Sequence, residues 1–325
     1  KRLFVKGDNM RNILVSINCI TYNHEKYIGE ALESFMMQKT NFDFEIIVSD
    51  DFSTDNTVEV VKKFQKKYPN KIRLIEGERN IGARQNGMRA HNNSLGKYVA
   101  ICEGDDYWTD CNKLQKQINY MEKNRDCSMV FHNSEKINEK TKKSEGFMIN
   151  SNLKSKKILI KDFFDLEFIP TASILYKKEL KDNMPSWYMD AITGDLPFNL
   201  ILIANSYAYY MNDIMSVYRV GNSQSMMGKW KLRSNNLDFQ INHAQGYLDI
   251  LKNFNEFSNF KYDSVIKEEI KNREFEILIA KGNLREIKSE KYKENYKKMS
   301  MKSKLKTFII SVNPRLFEML GKIRG

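Results

Sequence analysis

The sequence lacks the long apolar run that a membrane-spanning helix needs, and it lacks the apolar core and small-residue cleavage site of a secretory signal. We therefore expect a cytoplasmic protein that does not span a membrane. Apolar residues make up 41% of the 325-residue chain and charged residues 29%, so the chain can bury a full core. Length and composition predict one large domain with an appendage.

Cysteine and histidine are scarce, with four of each. The cysteines are Cys19, Cys102, Cys111 and Cys127, and no two of them have the CxxC spacing of a zinc site. The histidines, His24, His91, His132 and His243, are scattered without the spacing of metal ligands. The sequence therefore predicts reduced, packed thiols and no histidine ligands to a metal.

Positive charge is concentrated at the end of the chain. The net charge is +12, and residues 288–325 carry eleven Lys or Arg against three Glu. A nucleic-acid binder would instead carry a basic face interleaved with aromatic residues on its folded domain. We expect no nucleic-acid partner, and a non-catalytic basic binding or scaffold protein stays as an alternative.

Apolar strand-like segments alternate with helical segments over the first hundred residues. Strands are predicted at residues 12–20, 44–49, 71–75 and 97–102, and helices at residues 25–38, 56–68 and 80–95. This alternation predicts an α/β fold with a mostly parallel sheet flanked by helices on both faces.

Beyond residue 223 the pattern becomes helical, and this change divides the chain. Helices are predicted at residues 230–254, 262–281 and 285–299. We expect residues 10–223 to form the α/β domain and residues 224–325 to form a helical C-terminal region. Residues 1–9, which precede Met10, are expected to be a leader or a cloning remnant.

Three carboxylates follow the fourth predicted strand at once. Glu103, Asp105 and Asp106 lie within four residues, directly after an apolar run. Ligands of open α/β sheets bind outside the carboxyl ends of the strands, which is where these side chains are placed. Carboxylates this close repel one another, and oxygen ligands select a hard divalent cation such as Mg²⁺ or Mn²⁺. The alternative is a solvated acidic turn.

A second pair of acids ends the second predicted strand. Asp50 and Asp51 would project into the same crevice if the two strands are near neighbours. A carboxylate there could accept a hydrogen bond from the imide N–H of uracil, and Tyr22 could stack on the base. Asp55 is a plausible N-cap for the next helix. Taken alone, this segment is more often a turn and helix cap than a binding site.

Four motifs in this order resemble glycosyltransferase family 2, whose members have the Rossmann-like GT-A fold. The matching segments are the strand and Thr-Tyr-Asn turn at residues 15–23, the acidic motif at residues 46–57, the Asn-Ile-Gly at residues 80–82, and Glu-Gly-Asp-Asp-Tyr-Trp at residues 103–108. The last occupies the place of the family's DXD motif. The resemblance covers roughly residues 10–225.

The resemblance implies a metal-dependent, inverting hexosyltransferase that uses a nucleotide sugar, with UDP as the expected nucleotide. It implies transfer to a hydroxyl of a glycan or lipid-linked acceptor in bacterial surface polysaccharide, lipooligosaccharide or capsule synthesis. Asp105, with Glu103, is the expected ligand set for Mn²⁺ or Mg²⁺. The residues expected on the donor side are Thr21, Tyr22, Asn23, Asp50, Asp51, Arg84, Glu103, Asp105 and Asp106.

The acceptor side follows from the same resemblance. Residues 193–198 resemble the segment that carries the family's catalytic base, which makes Asp195 the expected base; its alternative role is to cap the following helix. The resemblance also places Thr171 and Ser173 on this side. Trp108 could stack on an acceptor sugar or equally pack over the strand end. Arg219 is a candidate to contact phosphate or acceptor charge, and its alternative is an ordinary solvated or paired arginine. Two positions after Arg219, members of the related subgroup commonly have a His where this chain has Gly221.

The last segment is basic and amphipathic. Its apolar residues recur at spacings of three and four and are Leu305, Phe308, Ile309, Val312, Leu316, Leu320 and Ile323. This pattern is typical of an interfacial helix that docks on anionic lipid at the inner face of the cell membrane. A helix packed on the protein's own core, or at the subunit interface of a homo-oligomer, would have the same pattern.

A nucleotidyltransferase is the second enzymatic alternative, because such enzymes also place acids and a metal at strand ends. It would carry a glycine-rich basic loop after the first strand. Residues 21–24 read Thr-Tyr-Asn-His and do not form such a loop.

Overall fold

The computed structural model describes residues 12–166, 168–221, 228, 233, 236–314 and 317. The strands are β1 (Ile13–Thr21), β2 (Asp43–Asp50), β3 (Ile72–Glu76), β4 (Tyr98–Ile101), β5 (Tyr107–Trp108), β6 (Met129–Asn138), β7 (Ser144–Phe147), β8 (Lys156–Ile158), β9 (Leu175–Lys177) and β10 (Ala208–Val220). The helices of the α/β part are α1 (Ile28–Met36), α2 (Thr57–Lys67), α3 (Ala83–Asn92), α4 (Lys113–Lys123), α5 (Ile160–Phe163), α6 (Glu179–Asp182), α7 (Trp187–Asp190) and α8 (Asp195–Asn205). Those that follow are α9 (Leu237–Phe257), α10 (Asp263–Ala280), α11 (Leu284–Ile287), α12 (Lys293–Lys298) and α13 (Met301–Val312).

The strands form one mixed sheet in the order β3-β2-β1-β4-β9-β6-β10-β5, with β7 on β6 and β8 on β10. Strands β3, β2, β1 and β4 are parallel, as the sequence predicts. The short β9 then pairs antiparallel with both β4 and β6, and β10 runs parallel to β6. The strands β1–β4, β6 and β10 therefore run in one direction, and their carboxyl ends lie at one edge of the sheet.

Alternating side chains along the strands supply a core on each face of the sheet. In β4, Tyr98 and Ala100 pack with α1, α2 and α4, whereas Val99 packs with α8, α9 and α10. This alternation follows from the two-residue period of a strand. Helices cover both faces, which confirms the predicted α/β architecture.

The C-terminal helices pack against the α/β part as well as against one another. Leu251 and Phe254 of α9 share a core with Leu200 of α8 and Ile266 of α10. The helix predicted at residues 285–299 is instead broken into α11, a 3₁₀ turn and α12. The described residues include no helix with the length and apolar character that crossing a bilayer requires. The segment expected to be a leader, residues 1–9, lies outside them, as do Leu316, Leu320 and Ile323.

Candidate active site

The acidic turn after β4 is fixed to the end of β1 by backbone hydrogen bonds. The N–H of Cys102 donates to the carbonyl of Asn18 and that of Gly104 to the carbonyl of Ile20. The turn closes where the N–H of Asp106 donates to the carbonyl of Glu103, 3.1 Å away. Because β5 then pairs with β10, the three carboxylates are held on a short turn between two parts of the sheet.

Burial and mutual repulsion act together on these acids. Burial, with the charges of Asp105 and Asp195, raises the pKa of Glu103 to about 8. Burial and the charges of Asp105 and Glu103 also raise the pKa of Asp106 well above its usual range. At neutral pH Glu103 is therefore mostly protonated in the ligand-free protein.

Replacing Glu103 by Gln is expected to stabilise the ligand-free protein, and more so at high pH. The folded pKa of about 8 exceeds the ordinary value of 4.5, so the folded state loses stability as pH rises from 4.5 to 8. Glu103→Gln removes this cost. The melting temperature of the variant should exceed that of the wild type by about 3 °C at pH 8.5, with little difference at pH 4.5.

Glu122→Gln is the matched control for this experiment. Lys97 and Tyr98 donate hydrogen bonds to Glu122 and lower its pKa, so its replacement should give no stabilisation at any pH. A Glu103→Gln variant that is less stable than the wild type at pH 8.5 would contradict the buried, repelled state of Glu103.

Asp105 is partly exposed and has a histidine beside it. Its side chain is 32% exposed, and its Oδ2 lies 3.9 Å from Nε2 of His24. His24 is therefore part of the site, although its sequence spacing gives no sign of it. The two residues are 81 positions apart in the chain, and only the adjacency of β1 and β4 brings them together.

The residues present fit a divalent cation in part. Among the described residues, no group of three or more His, Cys, Asp or Glu could hold a metal alone. A carboxylate and an imidazole together suit ions such as Mn²⁺, and Nδ1 of His24 is buried without a hydrogen-bond partner. Gly221 stands where members of the related subgroup commonly have a His, and its φ of +89° is a conformation that a histidine rarely adopts.

Arg219 supports the acidic turn from β10. Its backbone N–H donates to Oδ1 of Asp106 at 3.1 Å, and its guanidinium donates to the carbonyl of Asp105 and to Glu30. The guanidinium also lies over the rings of Tyr27 and Tyr107. Arg219 therefore holds the acidic turn, and its expected contact with the acceptor stays a prediction.

Tyr218 is a member of the site that the sequence reasoning missed. It is partly buried, and the charges of Asp106, Glu103, Asp105 and Asp195 all act on its hydroxyl, so that burial and these charges raise its pKa. This places the phenol among the four acids. Its position at the carboxyl end of β10 becomes informative only once β10 is known to lie beside the acidic turn.

The loop after β2 forms a network with the loop after β1. Both oxygens of Asp51 accept hydrogen bonds from the N–H groups of Ile81 and Gly82, at 2.9 and 2.8 Å. Asp50 accepts from the N–H of Ser53 at 2.8 Å, and the side chain of Asn23 accepts from the N–H of Thr54 at 2.8 Å. These acids shape the loops, which is the turn role that the sequence also allows.

Two residues at the end of β1 and in the loop after it, Thr21 and Tyr22, differ in exposure. Tyr22 is 44% exposed, as a stacking platform for a base requires. Thr21 is buried and its Oγ1 has no hydrogen-bond partner. Asp55, predicted as the N-cap of the next helix, lies one residue before the observed N-cap, Asn56, although its Oδ1 accepts a hydrogen bond from the N–H of Thr57.

Two residues expected on the acceptor side lie in the interior. Trp108 is 1% exposed, and its Nε1–H donates to the carbonyl of Ala172 at 2.8 Å. Ser173 is fully buried and donates to the carbonyl of Pro170. Both side chains pack within the protein, and their expected role on the acceptor side stays a prediction. Thr171, at the start of the same 3₁₀ turn, is partly exposed.

Arg84 is also used within the protein. Its guanidinium donates to the carbonyls of Met189 and Ala191, the latter at 2.6 Å, and so ties α3 to the segment that leads into α8. Arg84 therefore fixes the loop before Asp195, and its expected contact with the nucleotide stays a prediction.

Asp195 begins α8 at the floor of a large cavity. Its Oδ1 accepts a hydrogen bond from the N–H of Leu196 at 2.9 Å. Its charge acts on Glu103 and Tyr218 on one side and on His243 and Tyr247 of α9 on the other. Asp195 therefore lies between the acidic turn and a cavity of about 750 Å³ bounded by α8, α9 and α10.

Acids at the carboxyl ends of a Rossmann-like mixed sheet, flanked by helices, define the GT-A class of fold. Two solved structures share it. TarS of S. aureus, solved with UDP-GlcNAc, has a TM-score of 0.58 at 17% identity over 95% of this chain and 89% of that one. The mannosyltransferase PcManGT of Pyrobaculum calidifontis, solved with GDP-Man and Mn²⁺, has a TM-score of 0.56 at 14% identity over 97% and 87%.

Residues 16–183 match the model of glycosyl transferase family 2, and the chain belongs to this family. An uncharacterised glycosyltransferase of Methanocaldococcus jannaschii is 32% identical over 67% of this chain and 74% of its own length. The teichuronic acid biosynthesis protein TuaG of Bacillus subtilis is 27% identical over 67% and 83%. An uncharacterised Mycobacterium tuberculosis protein is 35% identical over 56% of this chain. The match spans only 55% of the length of that relative.

Proposed function

We propose that this protein is an inverting glycosyltransferase that moves a sugar from a UDP-sugar to a hydroxyl of a glycan or lipid-linked acceptor in bacterial surface polysaccharide synthesis. The observation that carries the proposal is that the charges of Asp105 and Asp195 both act on Glu103, so that the acidic turn and the start of α8 lie near one another. Asp105 lies on the turn beside His24, and Asp195 lines the cavity bounded by α8, α9 and α10. The relationship to TuaG and TarS supports the polymer class and the nucleotide.

Asp195 is proposed as the base. A carboxylate that lies against the cavity can take the proton of an acceptor hydroxyl entering from that side. Attack from the side opposite the leaving diphosphate inverts the anomeric carbon. Arg84 holds the preceding loop and thereby sets the position of Asp195.

Asp105 and His24 are proposed to hold a divalent cation, with Glu103 close by. When bound, the cation neutralises charge on the leaving diphosphate. Tyr22 is proposed to stack on the base, and Thr21 offers a buried hydroxyl at the same loop. Asn23, Asp50 and Asp51 keep this loop in shape.

Titration calorimetry tests the donor class. UDP should bind in the presence of Mn²⁺, and more tightly than GDP, CDP or dTDP. Release of UDP from a panel of UDP-hexoses and UDP-N-acetylhexosamines should then identify the donor sugar. Equal failure of all four nucleotides to bind, with and without Mn²⁺, would overturn the proposal and favour a binding or scaffold protein.

The described part of the basic amphipathic segment is proposed to dock on an anionic membrane. Helix α13 exposes Met301, Leu305, Phe308 and Val312 at spacings of four, three and four, while Ile310 packs inward. Exposed lysines flank this stripe. An apolar stripe bordered by lysines suits the boundary between anionic headgroups and acyl chains.

Replacing Leu305 and Phe308 together by Glu should remove this binding. In flotation assays the wild type should bind phosphatidylglycerol-containing vesicles, and the double variant should lose about 90% of the bound fraction. Leu95→Glu, which alters an exposed apolar residue of the α/β part, should bind normally. A wild type that stays in solution but dimerises would instead assign the stripe to a subunit interface.

A further inference from the structure

The cavity beside Asp195 is built largely from parts of the chain that the family model does not cover. Its volume of about 750 Å³ falls within the range of roughly 300–1,000 Å³ that is usual for ligand clefts. One part of the lining is apolar and comes from Phe163, Phe164, Leu166, Phe168 and Ile169. Other parts come from α9 and α10, which lie beyond residue 183.

Helix α9 lines the cavity with a row of three rings. Phe239, His243 and Tyr247 follow one another at spacings of four residues, which places them on one face of the helix. The ring centroids are 5.9 Å apart for the first pair and 4.9 Å for the second. All three side chains are only partly buried, so ring surface remains available to a ligand in the cavity.

Close packing fixes this row relative to Asp195. A Cβ at Gly246 would lie 2.6 Å from the side chain of Ile192, so only glycine allows α9 to approach the segment before α8 this closely. The cavity wall and the proposed base therefore belong to one packed unit, and the cleft exists before any ligand binds.

The polar groups of the cavity favour an uncharged ligand that has hydroxyl groups. Asn199 is 4% exposed and lines the cavity, and its Oδ1 accepts no hydrogen bond from the described residues. Glu269 and Glu276 both pair with Arg273. The charged residues of the lining are three acids and two bases, so the cleft has no excess positive charge for a polyanion.

We propose that this cleft binds the neutral sugar of the acceptor, with the C–H faces of the sugar stacked on the α9 row. The Oδ1 of Asn199 accepts a hydrogen bond from one hydroxyl, and a second hydroxyl faces Asp195. Sugar rings combine apolar C–H faces with hydroxyl edges, which is the combination that this lining offers. The inference rests on the proposed function and adds the acceptor's chemical class and its binding residues.

Saturation-transfer NMR with methyl glycosides of glucose, galactose, mannose and N-acetylglucosamine tests the proposal. At least one of these glycosides should bind in the presence of UDP and Mn²⁺ and show saturation transfer from the protein to its ring protons. Phe239→Ala and Tyr247→Ala, made separately so that a folding failure of one leaves the other, should each weaken this binding about tenfold. Phe257→Ala, an exposed aromatic position on the same helix outside the cavity lining, should leave it unchanged.

The outcomes separate the two proposals. If calorimetry shows UDP binding by the wild type and the variants but the ring-row variants bind the glycoside normally, the cleft assignment is overturned while the proposed donor site stands. Loss of UDP binding by the wild type overturns the proposed function itself. With octyl glucoside as the probe, saturation transfer to the protons of the octyl chain alone would assign the cleft to a lipid. That result would overturn its assignment to a sugar.

Discussion

Asp195→Asn should lower turnover by about 10²- to 10⁴-fold while leaving UDP binding intact. The amide has nearly the shape of the carboxylate, so α8 and the loop held by Arg84 should keep their positions. The amide, however, cannot take a proton from the acceptor hydroxyl. The measurement is UDP release from the donor sugar identified in the panel, with methyl glycosides as acceptors and calorimetry of UDP in parallel.

Asp190→Asn is the matched control, because Asp190 is an exposed acid five residues upstream that lies outside the cavity lining. It should retain full turnover. An Asp195→Asn variant that keeps more than about a tenth of the wild-type rate would exclude Asp195 as the base. The same slow rate with much weaker UDP binding would indicate a role in the donor site instead.

The strand ends could be predicted from the sequence because short apolar runs stop at polar residues. The first predicted strand, residues 12–20, is found as Ile13–Thr21, and the fourth, residues 97–102, as Tyr98–Ile101. Since parallel strands end at one edge, the meeting of the two acidic loops follows from this pattern. The insertion of the short antiparallel β9 beside β4 does not follow, because three residues carry too little pattern.

Some contacts of the candidate site residues join parts of the chain that are far apart in sequence, and sequence reasoning could not foresee them. Arg219 and Glu30 are 189 positions apart, and Arg84 and Ala191 are 107 apart, so no local pattern shows that these guanidinium groups are already used. The aromatic pair after the acidic turn suggested a sugar platform. Trp108 is instead buried by the pairing of β5 with β10, a contact 108 positions along the chain.

The rings of α9 could not be recognised as candidate ligand-binding residues from the sequence, because their spacing is also that of a helix face packed in the core. Phe239, His243 and Tyr247 have the spacing of any amphipathic helix. The structure distinguishes them because they line the cavity beside Asp195. A helix repeat alone does not tell whether its apolar face meets the core or a ligand.

Asp105→Ala should remove the metal-dependent part of UDP binding. Asp105 is a partly exposed acid of the turn, and loss of a direct ligand should cost more than the 10- to 100-fold that outer-shell partners of a metal typically contribute. We expect UDP affinity in Mn²⁺ to fall by more than about 30-fold, to the level that the wild type shows without metal. Calorimetry of UDP, with and without Mn²⁺, measures both quantities.

Two further variants locate the cation. Asp110→Asn changes the first acid after the acidic turn, which pairs with Lys116, and this variant should bind UDP normally. His24→Ala should weaken the Mn²⁺-dependent component if the imidazole beside Asp105 is a ligand, and should leave metal-free binding unchanged. Manganese electron paramagnetic resonance with UDP present gives a readout apart from turnover. Full Mn²⁺ dependence in Asp105→Ala would exclude this carboxylate as a ligand and require the cation to be held elsewhere in the crevice.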